Sequence, residues 1–140
     1  MATRRIALPN GNIEYRNEFG ELHNPDGPAK IPVKGYPEFR QNGLLHSLND
    51  NPSQTNTLYT DSGEPLLTSF AWHKGGKYHR ETDKPAVLSD WGGNRGLSME
   101  VYYKNGHPYA PKREYPKEKI AKELEHFKHI AMQYKQKEIR

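Results

Sequence analysis

Apolar residues in the first 112 positions occur in short runs, each bounded by glycine, proline, asparagine or aspartate. Such runs between turn residues are typical of short β-strands joined by hairpins. After Pro116 the spacing changes to four, three, four and three positions, through Ile120, Leu124, Phe127, Ala131 and Tyr134. This spacing places one narrow apolar stripe along a helix, and proline suits a first helical position. The sequence therefore predicts β-hairpins over residues 5–112 and a helix over residues 116–138.

A motif recurs within the hairpin region, most clearly in residues 15–29 and 72–86. Each copy has an aromatic residue, a glycine turn, a histidine three positions after the last turn glycine, and then Asp-x-Pro-Ala. Residues 39–53 form a further copy, in which Asn42-Gly43 is a strong signal for a two-residue hairpin turn. Residues 58–66 give a degenerate copy, and residues 101–109 give a truncated last one. Repetition of this kind predicts stacked units that bury apolar surface only against their neighbours.

The predicted fold is mainly β, an array of antiparallel β-hairpin repeats that form a curved sheet, with one C-terminal α-helix packed on or beside it. Residues 1–112 are the hairpin repeat region, and residues 113–140 form an amphipathic basic helix of the same domain. Docking of the helix on its own sheet is favoured, because a stripe of this length makes a marginal coiled coil. A helix-mediated dimer is the alternative.

Composition limits the classes of protein that fit. Only 33% of residues are hydrophobic and the mean hydropathy is -1.07, which favours a thin apolar layer over a large core. The chain has no cysteine, which excludes a disulfide scaffold and a thiolate zinc site, and no motif calls for a cofactor. No apolar run has the length of a membrane span, and Pro9 interrupts the segment after Arg4-Arg5 that an export signal needs. We therefore expect a cytoplasmic protein without a membrane partner.

The net charge of +4 is concentrated at the C-terminal end. Residues 113–140 contain eight Lys or Arg and five Asp or Glu, whereas the rest of the chain is nearly balanced. The basic isoelectric point is thus mainly a property of the helix. This distribution weakens the inference that the hairpin region binds nucleic acid.

The motif resembles a hairpin repeat of bacteriophage and large-virus proteins, whose fuller form reads roughly Tyr-x-Asn-Gly-x-x-His-Arg-x-x-Asp-Gly-Pro-Ala, and is similar in outline to MORN repeats. The resemblance covers residues 13–109. Asn24 and Ser47 stand where the repeat has arginine, and Lys84 stands where it has glycine. The resemblance implies a hairpin array of phage origin, and it implies no catalytic residues.

Three histidines, His23, His46 and His79, share one position of the motif, each with an aspartate three or four residues later. Imidazole beside carboxylate is the chemistry of a general base or a metal ligand, so a metal-dependent hydrolase is one hypothesis. The favoured interpretation is structural, with His–Asp hydrogen bonds bracing each turn. We expect no catalytic and no metal-binding residues.

Function is expected where the repeat is interrupted. A glycine-rich loop contains Trp91, Asn94 and Arg95, a composition typical of binding hot spots. The last hairpin and the segment after it add aromatic and basic residues: Tyr103, Lys104, Tyr109, Lys112 and Arg113.

Together these residues predict a non-enzymatic protein that binds a macromolecule. The resemblance to phage repeats implies that the partner is a host protein, such as a defence factor, which the chain inhibits or redirects. The alternative is a nucleic-acid or nucleotide binder, because aromatic residues among Lys and Arg can stack bases and neutralise phosphates.

Overall fold

The chain forms short strands followed by a long helix. The structure, a computed structural model, describes residues 3–91 and 96–139. In order, the elements are β1 (Arg4–Ala7), β2 (Ile13–Arg16), β3 (Lys30–Ile31), β4 (Arg40–Gln41), β5 (Leu44–Leu45), β6 (Gln54–Tyr59), β7 (Pro65–Ala71), β8 (His73–Lys74), β9 (Lys77–Tyr78), β10 (Val87–Asp90), β11 (Leu97–Val101), β12 (Tyr103–Lys104), β13 (His107–Pro108) and α1 (Lys117–Ile139).

All strand pairs are antiparallel. One sheet has the order β1-β2-β3 and another has the order β11-β10-β7-β6, while β4-β5, β8-β9 and β12-β13 are two-stranded hairpins. The predicted mainly β fold of antiparallel hairpins with one C-terminal helix is therefore confirmed, with the hairpins divided among several small sheets. The helix begins within one residue of the predicted start.

Two sets of hairpins alternate along the chain, and we call them outer and inner hairpins. An aromatic residue lies at each junction between an outer hairpin and the inner hairpin that follows it. The outer hairpins are β1-β2, the bridge between Lys30 and Glu38, β6-β7 and β10-β11. The inner hairpins are the bridge between Arg16 and Leu22, β4-β5, β8-β9 and β12-β13. At each junction the aromatic carbonyl accepts a backbone N–H seven or eight residues later: Tyr15 from His23, Phe39 from His46, Trp72 from His79, and Tyr102 from Tyr109, at 2.8–3.0 Å.

We call an outer hairpin together with the inner hairpin that follows it a unit, and the described residues contain four units. The degenerate copy expected at residues 58–66 is not one of them. Residues 58–66 are the tip of the outer hairpin of the third unit, where β6 turns into β7. The turn resembles the repeat only because any tight hairpin needs a residue of positive φ, here Gly63. The truncated last copy, by contrast, is a true inner hairpin.

The shared histidines join successive inner hairpins. The side-chain Nδ1 of each accepts the N–H of the first turn residue of the next inner hairpin: His23 from Asn42 at 3.0 Å, His46 from Gly75 at 3.1 Å and His79 from Asn105 at 3.0 Å. The backbone carbonyl of the residue before each histidine accepts the N–H of the second turn residue of that next hairpin. These hydrogen bonds, at 2.8–2.9 Å, run to Leu22 from Gly43, to Leu45 from Gly76 and to Tyr78 from Gly106. Each pair of hydrogen bonds is called a joint below.

The joints follow from the geometry of the turns. Both central residues of each turn have positive φ, for example 48° at Asn42 and 84° at Gly43. This is the type I′ conformation, and its two central N–H groups have no partner within their own hairpin. The preceding unit supplies both acceptors. The histidines therefore brace successive hairpin turns as expected, but they do so by accepting backbone N–H groups and not through the expected His–Asp hydrogen bonds.

The helix packs against the four-stranded sheet of the same chain, as the apolar stripe predicts. Ile120, Leu124 and Phe127 are buried against a cluster that includes Phe70 and Trp72. The rings of Phe127 and Trp72 meet edge to face at 5.4 Å. Fully burying a side chain of this size contributes about 1.5–3 kcal/mol, so the stripe supplies the core that the hairpins lack.

Arg80 links two units to the helix. Its guanidinium lies 3.9 Å from the ring centroid of Trp72 and donates to both carboxylate oxygens of Asp50, at 3.0 and 2.9 Å. The same side chain also donates to Glu123 on α1, at 3.1 and 2.9 Å. Burial alone raises the pKa of Asp50, but the hydrogen bonds and charge of Arg80, aided by Lys84, outweigh it and lower that pKa. Arg80 is 2% exposed, and we infer that it fixes the helix against the repeats.

Replacing His79 by alanine tests the joints. The variant leaves the N–H of Asn105 without its acceptor, and we expect a loss of about 1–3 kcal/mol in the free energy of unfolding. Urea unfolding provides the measurement. His107→Ala is the control, because His107 is exposed and lies within the last inner hairpin. Equal unfolding midpoints for the two variants would show that the joint contributes nothing.

Replacing Arg80 by methionine tests the link to the helix. The change leaves two carboxylates without their buried partner, and we expect a loss of about 3–5 kcal/mol in urea unfolding. Adding Asp50→Asn and Glu123→Gln removes the unpaired charges, so the triple variant should recover part of that loss. Arg113→Met, at an exposed arginine, is the control. A triple variant less stable than Arg80→Met would contradict this account.

Candidate partner-binding surface

The last inner hairpin places its predicted residues on two sides. Tyr102 and Tyr103 alternate along the strand, and Tyr102 is buried, with its hydroxyl accepting the N–H of Tyr115 at 2.8 Å. Tyr109 packs edge to face on Tyr102 at 6.0 Å, so it lies on the Tyr102 side. Tyr103 instead stacks on Tyr78 and packs against the buried cluster, so the aromatic residues proposed for binding do not form one patch.

Tyr109 takes the place that histidine has in the other units. Its hydroxyl donates to Asp83 at 3.0 Å, and the Lys104 ammonium lies 3.8 Å from the same carboxylate and 5.3 Å from the Tyr109 ring. Burial, followed by the hydrogen bond and the charge of Asp83, raises the pKa of Tyr109 to about 12. The arrangement is an internally paired phenol, carboxylate and ammonium.

Tyr103 continues a stack of rings across two inner hairpins. Its ring centroid lies 4.9 Å from that of Tyr78, which lies 4.7 Å from the imidazole of His73. The buried His73 Nδ1 is 2.6 Å from Ser53 Oγ. Burial and then the positive charge of Arg40 lower the pKa of His73.

The other predicted binding residues lie apart from one another. Trp91 follows β10 at the end of the β10-β11 hairpin and is 36% exposed. Its backbone N–H donates to the carbonyl of Gly96 at 3.1 Å. Asn94 and Arg95 lie outside the described residues. Lys112 and Arg113 are exposed in the segment that leads to α1, beyond the opposite end of β11. A strand advances about 3.3 Å per residue, so roughly 20 Å separates the hairpin tip from the last inner hairpin.

The histidines serve the fold through their Nδ1 atoms. Since Nδ1 of His79 accepts a backbone N–H, its proton is on Nε2, which donates to Glu81 at 2.8 Å. That hydrogen bond lowers the pKa of Glu81. Within residues 3–91 and 96–139, no three His, Asp or Glu side chains come together as metal ligands. The metal-dependent hydrolase therefore stays a hypothesis without a site among these residues.

A cavity of about 380 Å³ lies beside the second joint, lined by His46, His73, His79 and Arg80. Its charged groups are already paired, since Arg80 and Lys84 both contact the carboxylate of Asp50. We therefore assign the cavity to the packing of the units.

The surface that the sequence did not reveal is the side of the four-stranded sheet opposite the helix. Phe70 and Leu88 point at the helix, so the residues that alternate with them point away. We call this side the open face. Its apolar members are Leu58, Leu67, Ala71, Val87, Met99 and Val101, and its polar members are Gln54, Asn56, Ser69 and the buried Ser89. Leu58 is 60% exposed and Met99 is 49% exposed.

Among the described residues the open face carries no charged side chain, although 27% of the chain's residues are charged. Depletion of charge beside exposed apolar side chains such as Met is typical of the centre of a protein interface. In the sequence, this surface corresponds to every second residue of β6, β7, β10 and β11. Both sides of these strands carry apolar or small residues, so the pattern did not show which side the helix covers.

A scan against protein-family models found no match, and searches of curated proteins and of solved structures found none either. The resemblance to phage hairpin repeats therefore stays a prediction. Among the described residues, no helix is both long enough and apolar enough to cross a membrane.

Replacing Asp83 by asparagine tests the paired phenol. Without the carboxylate the ionised form of Tyr109 is no longer opposed by a neighbouring charge, so its pKa should fall from about 12 toward the usual value. Ultraviolet titration between pH 9 and 13, with Tyr109→Phe to identify the signal, provides the measurement. Because folding raises this pKa, its stabilising effect is complete below pH 10 and is lost as the pH rises toward 12. An unchanged titration in Asp83→Asn would contradict the assignment.

Proposed function

We propose that this protein acts without chemistry of its own, by binding a partner protein through the open face. The supporting observation is the contrast between the two sides of one sheet. The helix covers the side with Phe70 and Leu88, whereas the other side leaves Leu58 and Met99 exposed with no charge between them. An exposed apolar patch on a rigid sheet is a common feature of protein-binding sites.

The polar residues of the repeat support the same proposal because their roles are structural. Three histidines hold the turns of the next hairpins, and Arg80 connects Asp50 to Glu123. These residues are the ones that an active site would have used. Their use in the fold leaves the apolar surface as the better candidate for function.

The partner class rests on resemblance. Hairpin repeats of this motif are features of phage proteins, so we propose a bacterial host protein, such as a defence factor, that the chain inhibits or redirects in the host cytoplasm. Tyr103, a predicted binding residue on β12, packs against the buried cluster and stacks on the Tyr78 ring, so it is not counted in this surface.

Affinity capture from bacterial lysate tests the proposal. We expect the wild-type protein to retain one stoichiometric protein, and the variant Leu58→Lys with Met99→Lys to retain at least about tenfold less, since a hot-spot change costs 1 kcal/mol or more. Both side chains are exposed, so thermal unfolding should change little. Phe19→Lys, at a side chain that is 75% exposed on the first inner turn, is the control.

Other outcomes of the capture would overturn the proposal. Equal recovery by the wild type and the open-face variant would remove this surface from the binding site. Recovery of nucleic acid alone, with affinity that falls steeply as salt rises, would favour the nucleic-acid alternative. In that case Lys104, Lys112 and Arg113 would be the residues to replace next.

A further inference from the structure

The outer edge of β6 faces a groove of about 610 Å³, between that strand and the outer hairpin of the second unit, residues 30–38. β6 is the last strand of the four-stranded sheet and pairs only with β7 among the described strands. The preceding unit reaches it through one backbone hydrogen bond, from the N–H of Phe39 to the carbonyl of Ser53. Past Ser53, residues 55–59 pair with no described strand on this side, a length of about 13 Å.

The groove lies where the array lacks a strand. Between the first and second units β2 pairs with β3, and between the third and fourth units β7 pairs with β10. The equivalent partner for β6 would come from residues 32–37, which contain Pro32, Gly35 and Pro37 and form no strand. Proline lacks the N–H that a strand partner must donate, so these residues cannot complete the sheet.

The charges around the groove are mainly positive. Lys30 and Lys34 line it, together with Glu38. Lys30 lies between Glu14 and Glu38 in the strand register, but each of these carboxylates is paired with an arginine, Arg16 at 2.9 Å and Arg40 at 3.0 Å. Tyr36 and Tyr59 add aromatic walls, and the Tyr36 hydroxyl lies 3.2 Å from Thr57 Oγ1 at the floor. An occupant that pairs with a strand edge and complements two lysines is an extended acidic peptide segment.

We propose that this edge groove binds an extended, acidic segment of a partner protein, which pairs with β6 as an added strand and places carboxylates beside Lys30 and Lys34. Backbone hydrogen bonds to residues 55–59 would supply affinity, and the lysines would select acidic sequences. The groove and the open face share Asn56 on β6, but the groove is otherwise formed by residues outside the open face. This inference therefore goes beyond the proposed function, and the lysine variants test it without changing the open face.

Synthetic peptides provide a direct test with the intact protein. The probe is a capped ten-residue peptide of alternating Glu and Val, with a fluorescent label, and the comparison peptide has Lys in place of Glu. A third peptide has the acidic sequence with alternate N-methylated backbone nitrogens, which removes the donors that strand pairing needs. Fluorescence anisotropy gives the dissociation constants, and amide hydrogen exchange of residues 55–59 locates the bound peptide.

We expect the acidic peptide to bind at least about tenfold more tightly than the basic and N-methylated peptides, because like charges and lost backbone bonds both oppose binding. Amides of β6 should exchange more slowly in its presence. Lys30→Gln with Lys34→Glu should weaken the acidic peptide by about tenfold or more. Lys119→Gln with Lys122→Glu makes the same charge change at exposed helix positions and should have no effect.

Several results would overturn the proposal. The proposal is wrong if the acidic peptide does not bind, or if the acidic and basic peptides bind equally well. It is also wrong if N-methylation leaves binding unchanged, or if the peptide slows amide exchange outside β6 instead of in it. Pairing of β6 edges between two copies of the chain, seen as a concentration-dependent dimer that excludes the peptide, would assign the edge to self-association instead.

Discussion

The fold depends on the capture of two N–H groups at the turn of each following hairpin. A type I′ turn leaves both central N–H groups without partners in its own hairpin, and a hydrogen bond within the protein contributes about 0.5–1.5 kcal/mol net. The preceding unit offers a carbonyl and an imidazole at hydrogen-bond distance. Each joint thereby fixes the position of the next hairpin, and the sheets and the helix are placed by the resulting stack.

The ends of the stack show the same constraint. The first inner turn follows no other inner hairpin among the described residues. There Asn17 supplies the acceptor, with its side-chain oxygen receiving the N–H groups of Phe19 and Glu21 at 3.0 Å. The last described unit has Tyr109 at the histidine position, and a phenol bound to Asp83 offers no imidazole for another turn. Both differences lie where a unit has a described neighbour on one side only.

Much of the architecture was predictable because its signals are local. Asn42-Gly43 requires positive φ, the apolar spacing from Ile120 to Tyr134 requires a helix, and the recurring histidine indicates a repeated structural role. The partners of the histidines were not predictable, since they lie 19 to 29 residues away along the chain. Arg80 stood out only as a residue that matches the repeat, and nothing in sequence spacing indicated Glu123 as its partner.

The sequence by itself determined the hairpins, their turns, the helix and the narrow apolar stripe, because each depends on the conformational preferences of neighbouring residues. The tertiary structure decided which side of the four-stranded sheet the helix covers and which side stays open, and it placed Trp91 and Tyr103 at separate ends of a hairpin. It also left β6 without a partner beside Lys30 and Lys34. The physical reason is that a surface consists of residues distant in sequence, and only packing brings them together.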